Sequence, residues 1–214
     1  MILDRIKQTV IEGKWRDITS LAQEALKYDC EVPSILEQAL YPAMSIVGDK
    51  FSSGEFFIPD MLLSAKAMQS AISVLKLHLK GRKLETGARV VLGTVVGDLH
   101  DIGKNLVRVM LEGSGYQVID LGVDTKAEEF VDALKKYQAE VLGLSGLLTT
   151  TLANVPKVLE ALKKANLRDK VLIAVGGAPV TQDFVDRVGA DLYGKDANMA
   201  VKVITRALAE RRAG

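Results

Sequence analysis

The sequence predicts an α/β chain in two parts: an N-terminal four-helix bundle, then a five-stranded parallel sheet with helices on both faces. Three observations carry this. Apolar residues recur at helical spacing from Ile2 to about Leu79. A polar, glycine-bounded segment, Lys80–Gly87, then breaks the pattern and reads as a linker. Beyond it, a β-branched run and further short strand-like runs alternate with helical stretches, which implies right-handed crossovers. The domains are therefore expected at 1–86 and 87–214.

In the first part, Leu3, Ile6 and Val10 form one stripe, stopped by Gly13. Ile18, Leu21, Ala22, Ala25 and Leu26 form the second. The third runs from Ile35 to Val47, opened by Pro33 and expected to bend at Pro42. Pro59 opens the fourth, which carries Met61, Leu62, Ala65, Met68, Ile72 and Leu75. Short loops between such helices favour an antiparallel bundle. In the second part, strands are expected at Arg89–Val96, Tyr116–Leu121, Val141–Leu144, Val171–Val175 and Ala190–Tyr193. Helices are expected through Leu106–Met110 and at Ala127–Tyr137, Val155–Ala165, Gln182–Val188 and Asn198–Arg211. This is a Rossmann-like (flavodoxin-like) order.

Composition excludes several classes of function. Lys plus Arg number 28 against 27 for Asp plus Glu, a net charge of +1 without a basic stripe, so no nucleic-acid footprint is encoded. Cys30 alone supports neither an intrachain disulfide nor a cysteine-rich metal centre, and packing is its expected role. No run approaches the roughly 18 apolar residues of a membrane span, and Asp4, Arg5 and Lys7 interrupt any signal core. A cytoplasmic protein with no membrane partner is expected.

Ligands of a doubly wound sheet bind beyond the carboxyl ends of its strands, so chemistry is sought at 97–103, 145–151 and 176–180. The first loop is Gly97-Asp98-Leu99-His100-Asp101-Ile102-Gly103. Asp98 lies close enough to fix the His100 tautomer and leave the other ring nitrogen as ligand or base. Gly97 and Gly103 allow close approach of something bulky. A helix cap with a turn aspartate uses the same residues. The second loop, Ser145 to Thr151, offers hydroxyls to a polar ligand edge or to a helix cap. The third, Gly176-Gly177, leaves either a slot against the sheet or an ordinary tight turn.

Taken in order, Asp98-x-His100-x-x-Gly103, Ser145-x-Leu147 and Gly176-Gly177 resemble the signature of proteins that bind cobalamin with its lower base displaced. That family includes the corrinoid region of methionine synthase and the small corrinoid proteins of methanol, methylamine, betaine and methoxyaromatic methyltransferase systems. The resemblance is densest over Gly97–Asn105. It extends to the helical part, where Val47-Gly-Asp-Lys-Phe51, Phe57-Ile-Pro-Asp-Met61 and Ser64-Ala-Lys-Ala-Met68 look like the family's helical cap.

The resemblance implies a B12-binding domain after the cap, with His100 as lower cobalt ligand and Asp98 on its other nitrogen. Thr151 stands where a related pattern has serine. Leu99, Asp101, Ile102 and Leu147 would border the cofactor. Ser145, Thr149, Gly176, Gly177 and Ala197 would contact its nucleotide tail. Glu37, Phe51, Ile58 and Met61 would face the corrin from the cap. Implied partners are a substrate-specific methyltransferase, a second methyltransferase that passes the methyl to tetrahydrofolate or a thiol, and a reductive activation protein. The chain would be a methyl carrier and not a catalyst alone, because no second substrate pocket is encoded. Two rivals are a cobalamin-dependent regulator and the small subunit of an adenosylcobalamin mutase. The first is disfavoured because the sequence starts at the cap without a helix-turn-helix segment, the second because such subunits lack this cap.

Overall fold

The computed structural model describes residues 1–78 and 87–213. It divides into two compact units: Met1–Thr86 with Gly113–Gly115, and Gly87–Glu112 with Tyr116–Gly214. The expected linker, except Gly87, lies outside the described residues.

The helical unit begins with α1 (Ile2–Ile11) and α2 (Ile18–Lys27), whose Ile6, Val10, Ile18, Ala22 and Ala25 have no exposed surface. A short helix α3 (Val32–Ile35), a π-helical turn (Leu36–Leu40) and α4 (Tyr41–Ser52) follow without a break. A single helix bent at Pro42 was expected; the structure widens the helix just before it instead. Pro42 has no N–H to close the α-helical ladder, and the Tyr41 N–H reaches back to Leu36 O, five residues away. The last helix, α5 (Ile58–His78), buries Met61, Ser64, Ala65, Met68, Ala71 and Leu75. Leu62, placed on the apolar stripe by spacing, is 46% exposed. Helix α1 packs against α2, α4 and α5. At Gly13 a β-carbon would lie 2.7 Å from Leu63 Cβ, so that turn is closed by contact as well as by its φ of +65°.

The sheet unit comprises β1 (Arg89–Thr94), α6 (Ile102–Gly113), β2 (Gln117–Asp120), α7 (Ala127–Tyr137), β3 (Val141–Ser145), α8 (Thr149–Leu152), α9 (Val155–Lys164), β4 (Leu172–Gly176), α10 (Gln182–Val188), β5 (Leu192–Gly194) and α11 (Ala197–Ala213). The strands are parallel in the order β2-β1-β3-β4-β5. Val91, Leu142, Ile173, Phe130 and Leu159 anchor one core. Gly93 makes room for it: a β-carbon there would meet the Phe130 ring at 2.6 Å. The chain order reverses between β1 and β3, so the crevice outside their carboxyl ends is the natural ligand position.

Candidate functional site

Thr94, Ser145, Gly176 and Gly194 lie side by side in register across the carboxyl ends of β1, β3, β4 and β5. All four are small, and the two glycines sit close against their neighbours: a β-carbon on Gly176 would lie 2.9 Å from Gly194 O, and one on Gly194 would lie 2.9 Å from Ala200 Cβ. Above this row, the β1–α6 loop is drawn back over the sheet. The Asp98 N–H donates to Val95 O at 3.1 Å. The buried Thr94 hydroxyl donates to His100 O at 3.0 Å. Gly97 has φ +83°, a conformation costly for other residues.

Asp98 is fully buried and is the centre of the site. Its Oδ1 accepts the His100 N–H at 3.1 Å and lies 2.7 Å from His100 Nδ1. Its Oδ2 accepts the backbone N–H groups of Leu147 at 2.7 Å and Leu148 at 3.3 Å. Thr151 Oγ1 lies 2.7 Å from the same oxygen and 2.9 Å from Leu148 O. The hydroxyl has one proton, and the carboxylate is the stronger acceptor. Burial alone would raise the Asp98 pKa. The hydrogen bonds from Thr151, from the His100 and Leu147 backbone and from the imidazole outweigh it and hold the carboxyl well below its usual range.

An ionised carboxylate only accepts, so His100 Nδ1 carries a proton, and it is the neutral ring in this tautomer that offers a lone pair on Nε2. The His100 side chain is 51% exposed. One buried carboxylate thus joins two loops and leaves a single imidazole nitrogen facing outward. Among the described residues no group of three or more His, Cys, Asp or Glu side chains could hold a metal ion.

The surroundings fit a large, flat, largely apolar cofactor. Leu99 and Ile102 flank His100 and are 73% and 70% exposed, and Leu147 and Leu148 are also exposed. Gly103 has helical backbone, and no atom lies within 4 Å of a β-carbon built on it. The protein's own packing therefore does not require glycine there, whereas a bulky ligand resting on the loop would.

Gly177 differs. With φ +135°, its β-carbon would come within 1.9 Å of Gly146 O. Of the two readings of this loop, slot or tight turn, Gly177 follows the tight turn: any side chain there would strike the protein's own backbone, so a Gly177→Leu variant would disturb the fold as well as any ligand.

The structure thus brings together Gly97, Asp98, Leu99, His100, Leu147 and Thr151, with Asp101 at the start of α6. Ser145 is half-buried at the end of β3, and Thr149 is the exposed first residue of α8, a turn of helix unforeseen in the sequence. No side-chain cap bond starts α8; the Thr151 hydroxyl serves Asp98. Ala197 is buried at the start of α11, where Asp196 Oδ1 accepts the Met199 N–H. In the helical unit Glu37 and Ile58 are exposed, Phe51 is half-buried and Met61 fully buried. Sequence reasoning missed Asp124, the Lys104–Asp120 pair and the Leu147 and Leu148 amides. The amides carry no side-chain signal, and the others act across folds of the chain.

Two B12 binding domain families match the chain, one over residues 88–202 and the other over residues 2–76. A corrinoid protein of Desulfitobacterium hafniense is 38% identical over 97% of both chains. A trimethylamine corrinoid protein of Methanosarcina barkeri is 39% identical over 97% of this chain and 96% of its own. In the crystal structure of the methanol:cobalamin methyltransferase complex of Methanosarcina barkeri, one chain superposes with a TM-score of 0.86 at 32% identity. That match covers 97% of this chain and 80% of that one.

Proposed function

The chain belongs to the B12-binding corrinoid proteins of methyltransferase systems, and from that premise we propose that it is a methyl carrier whose lower cobalt ligand is His100. The observation that carries this reading is the Asp98 carboxylate, which gathers donors from two loops and leaves His100 Nε2 open.

The corrinoid, when bound, supplies a cobalt centre that accepts and gives up a methyl group. The chain's residues do the rest. Asp98 holds the imidazole in one tautomer and one orientation, and Thr151 with the Leu147 and Leu148 amides keeps that carboxylate ionised. His100 presents Nε2 in place of the displaced lower base. Leu99, Ile102 and Leu147 offer an apolar bed, with Gly97, Asp101 and Gly103 shaping the loop. Ser145, Thr149, Gly176, Gly177 and Ala197 would contact the nucleotide tail at the carboxyl ends of the strands. Residues 1–86 form the cap and 87–214 the binding domain. In the cap, Glu37, Phe51 and Ile58 would be the residues that meet the corrinoid; Met61, expected among them, has no exposed surface and belongs to the core of the helical unit.

In this reading the carrier works in the cytoplasm with three partners. One is a substrate-specific methyltransferase, as in the complex that holds its structural relative. The others are a second methyltransferase, which passes the methyl on to a folate or thiol acceptor, and a reductive activation protein.

Titration with hydroxocobalamin tests the reading. The parent should bind one equivalent and show the visible spectrum of a histidine-ligated corrinoid. His100→Ala should retain corrinoid through the tail and apolar contacts but show a water-ligated spectrum. Identical spectra for the two proteins would remove His100 from the cobalt.

A further inference from the structure

His100 sits on a loop, yet an axial ligand needs a fixed direction, and the Asp98 network explains only its side-chain end. The backbone is held from elsewhere. The β2–α7 loop runs beside the end of β1, where the Thr94 N–H donates to Gly122 O at 3.0 Å and the Thr125 N–H to Thr94 O at 2.9 Å. From that loop Asp124 grips the turn before His100 twice. Its Oδ1 accepts the Gly97 N–H at 2.7 Å, and its own N–H donates to Asp98 O at 3.0 Å. Asp124 does so at φ +53°, a left-handed conformation that aspartate tolerates better than most side chains but still at a cost.

After His100 the chain is held by a buried ion pair. Lys104, 3% exposed in the first turn of α6, donates to Asp120 Oδ1 at 2.6 Å and Oδ2 at 2.7 Å, and to Asn105 Oδ1 at 3.1 Å. These contacts use all three ammonium protons. Asn105 in turn donates to Asp101 Oδ2 at 2.9 Å, next to His100. Asp120 also accepts the Gly122 N–H at 2.9 Å, so both holding points converge on the same loop.

We propose that the β2–α7 loop is the positioning element of His100, with Asp124 fixing the chain before the imidazole and the Lys104–Asp120 pair fixing it after. The loop touches no cobalt and does no chemistry; it sets the direction of the ligand. The proposal rests on the reading of His100 as axial ligand only for its purpose, since the loop is held by bonds made within the chain.

The corrinoid-free protein, labelled uniformly with 15N, provides the test. The readout is solvent exchange of the His100 Nδ1 proton by NMR, with the Phe130 amide as a core reference. Asp124 is exposed, so Asp124→Ala leaves the core intact. In Lys104→Met, Asp120 keeps Gly122 N–H and the Arg108 guanidinium 3.7 Å away.

Both variants should exchange the Nδ1 proton roughly tenfold faster or more, the loss expected for a charge-assisted hydrogen bond, with Phe130 unchanged. Asp124→Asn, which can still accept and adopt positive φ, and Lys104→Arg should restore slow exchange. Parent-like exchange in Asp124→Ala overturns the proposal by itself, whether or not Lys104→Met folds.

Loading the same proteins with cob(II)alamin separates the two readings. Weakened histidine coupling in the electron paramagnetic resonance of Asp124→Ala supports both. No histidine coupling in the parent, with Nδ1 exchange still sensitive to Asp124, would sink the cobalt-ligand reading and leave the positioning role standing.

Discussion

The two units bury their polar groups for different ends. In the helical unit the buried polar side chains are Thr9 and Ser64, and the Ser64 hydroxyl simply donates to Ile11 O at 3.2 Å. Among the described residues of the sheet unit Thr94, Asp98, Lys104, Thr125, Thr151 and Asn198 are buried, and the two charged ones, Asp98 and Lys104, stand on either side of His100 in the chain. One unit is a packing body whose surface can be re-used. The other concentrates charge where a single nitrogen has to be aimed. A buried charge is costly unless paired, so its presence at one end of the sheet marks the place where geometry matters most.

Asp98→Ala should break this contrast most severely. It strands the Leu147 and Leu148 amides and the Thr151 hydroxyl, and should cost about 3–5 kcal/mol in urea unfolding, as when one member of a buried charged cluster is removed. A loss within experimental error of zero would mean that the cluster is dispensable to the fold. Met61→Ala should cost roughly 2–5 kcal/mol, by cavity formation in the helical unit, while corrinoid affinity changes little. A large affinity loss there, without loss of stability, would place Met61 on the cofactor.

Acid should sharpen the difference between the units. Asp98 has a lowered folded-state pKa, so its contribution to stability is complete above the ordinary carboxylate value of about 4 and is lost as pH falls below it. The urea midpoint of the parent should drop in that window, and Asp98→Asn should drop less steeply from a lower starting point. Equal slopes would assign the acid sensitivity to other carboxylates.

Gly103→Ala has the smallest effect on folding and the most selective one on binding. The position is open and helical, so stability should rise by roughly 0.4–1 kcal/mol, whereas the added methyl crowds the cofactor bed and weakens corrinoid binding. Undiminished binding would mean that nothing rests on Gly103.

Most of the layer structure was legible because its signals are local. The β-branched run at Arg89–Val96 and the short strand-like runs after it marked all five strands within a few residues, and helical periodicity placed α7, α9, α10 and α11. Asp98, His100 and Thr151 were legible as a pattern, and the structure brings His100 and Thr151 each within hydrogen-bonding distance of Asp98. What stayed hidden acts through space. Lys104 and Asp120 look like two ordinary surface charges until the fold buries the lysine. Asp124 reads as a turn residue until its carboxylate meets Gly97. The Leu147 and Leu148 amides are invisible in any sequence. Leu62 shows the converse: its spacing fits the buried stripe, but it lies on the flank that the bundle leaves open.

The most direct test loads protein labelled with 15N only in histidine with cob(II)alamin and records its electron paramagnetic resonance. The chain has two histidines, and His100 alone is oriented by a buried carboxylate. The cobalt lines should split into doublets from one 15N nucleus, and His100→Ala should abolish them while His78→Ala leaves them intact. Triplets from an unlabelled nitrogen would show that the cofactor keeps its own base, and would contradict the role assigned to His100.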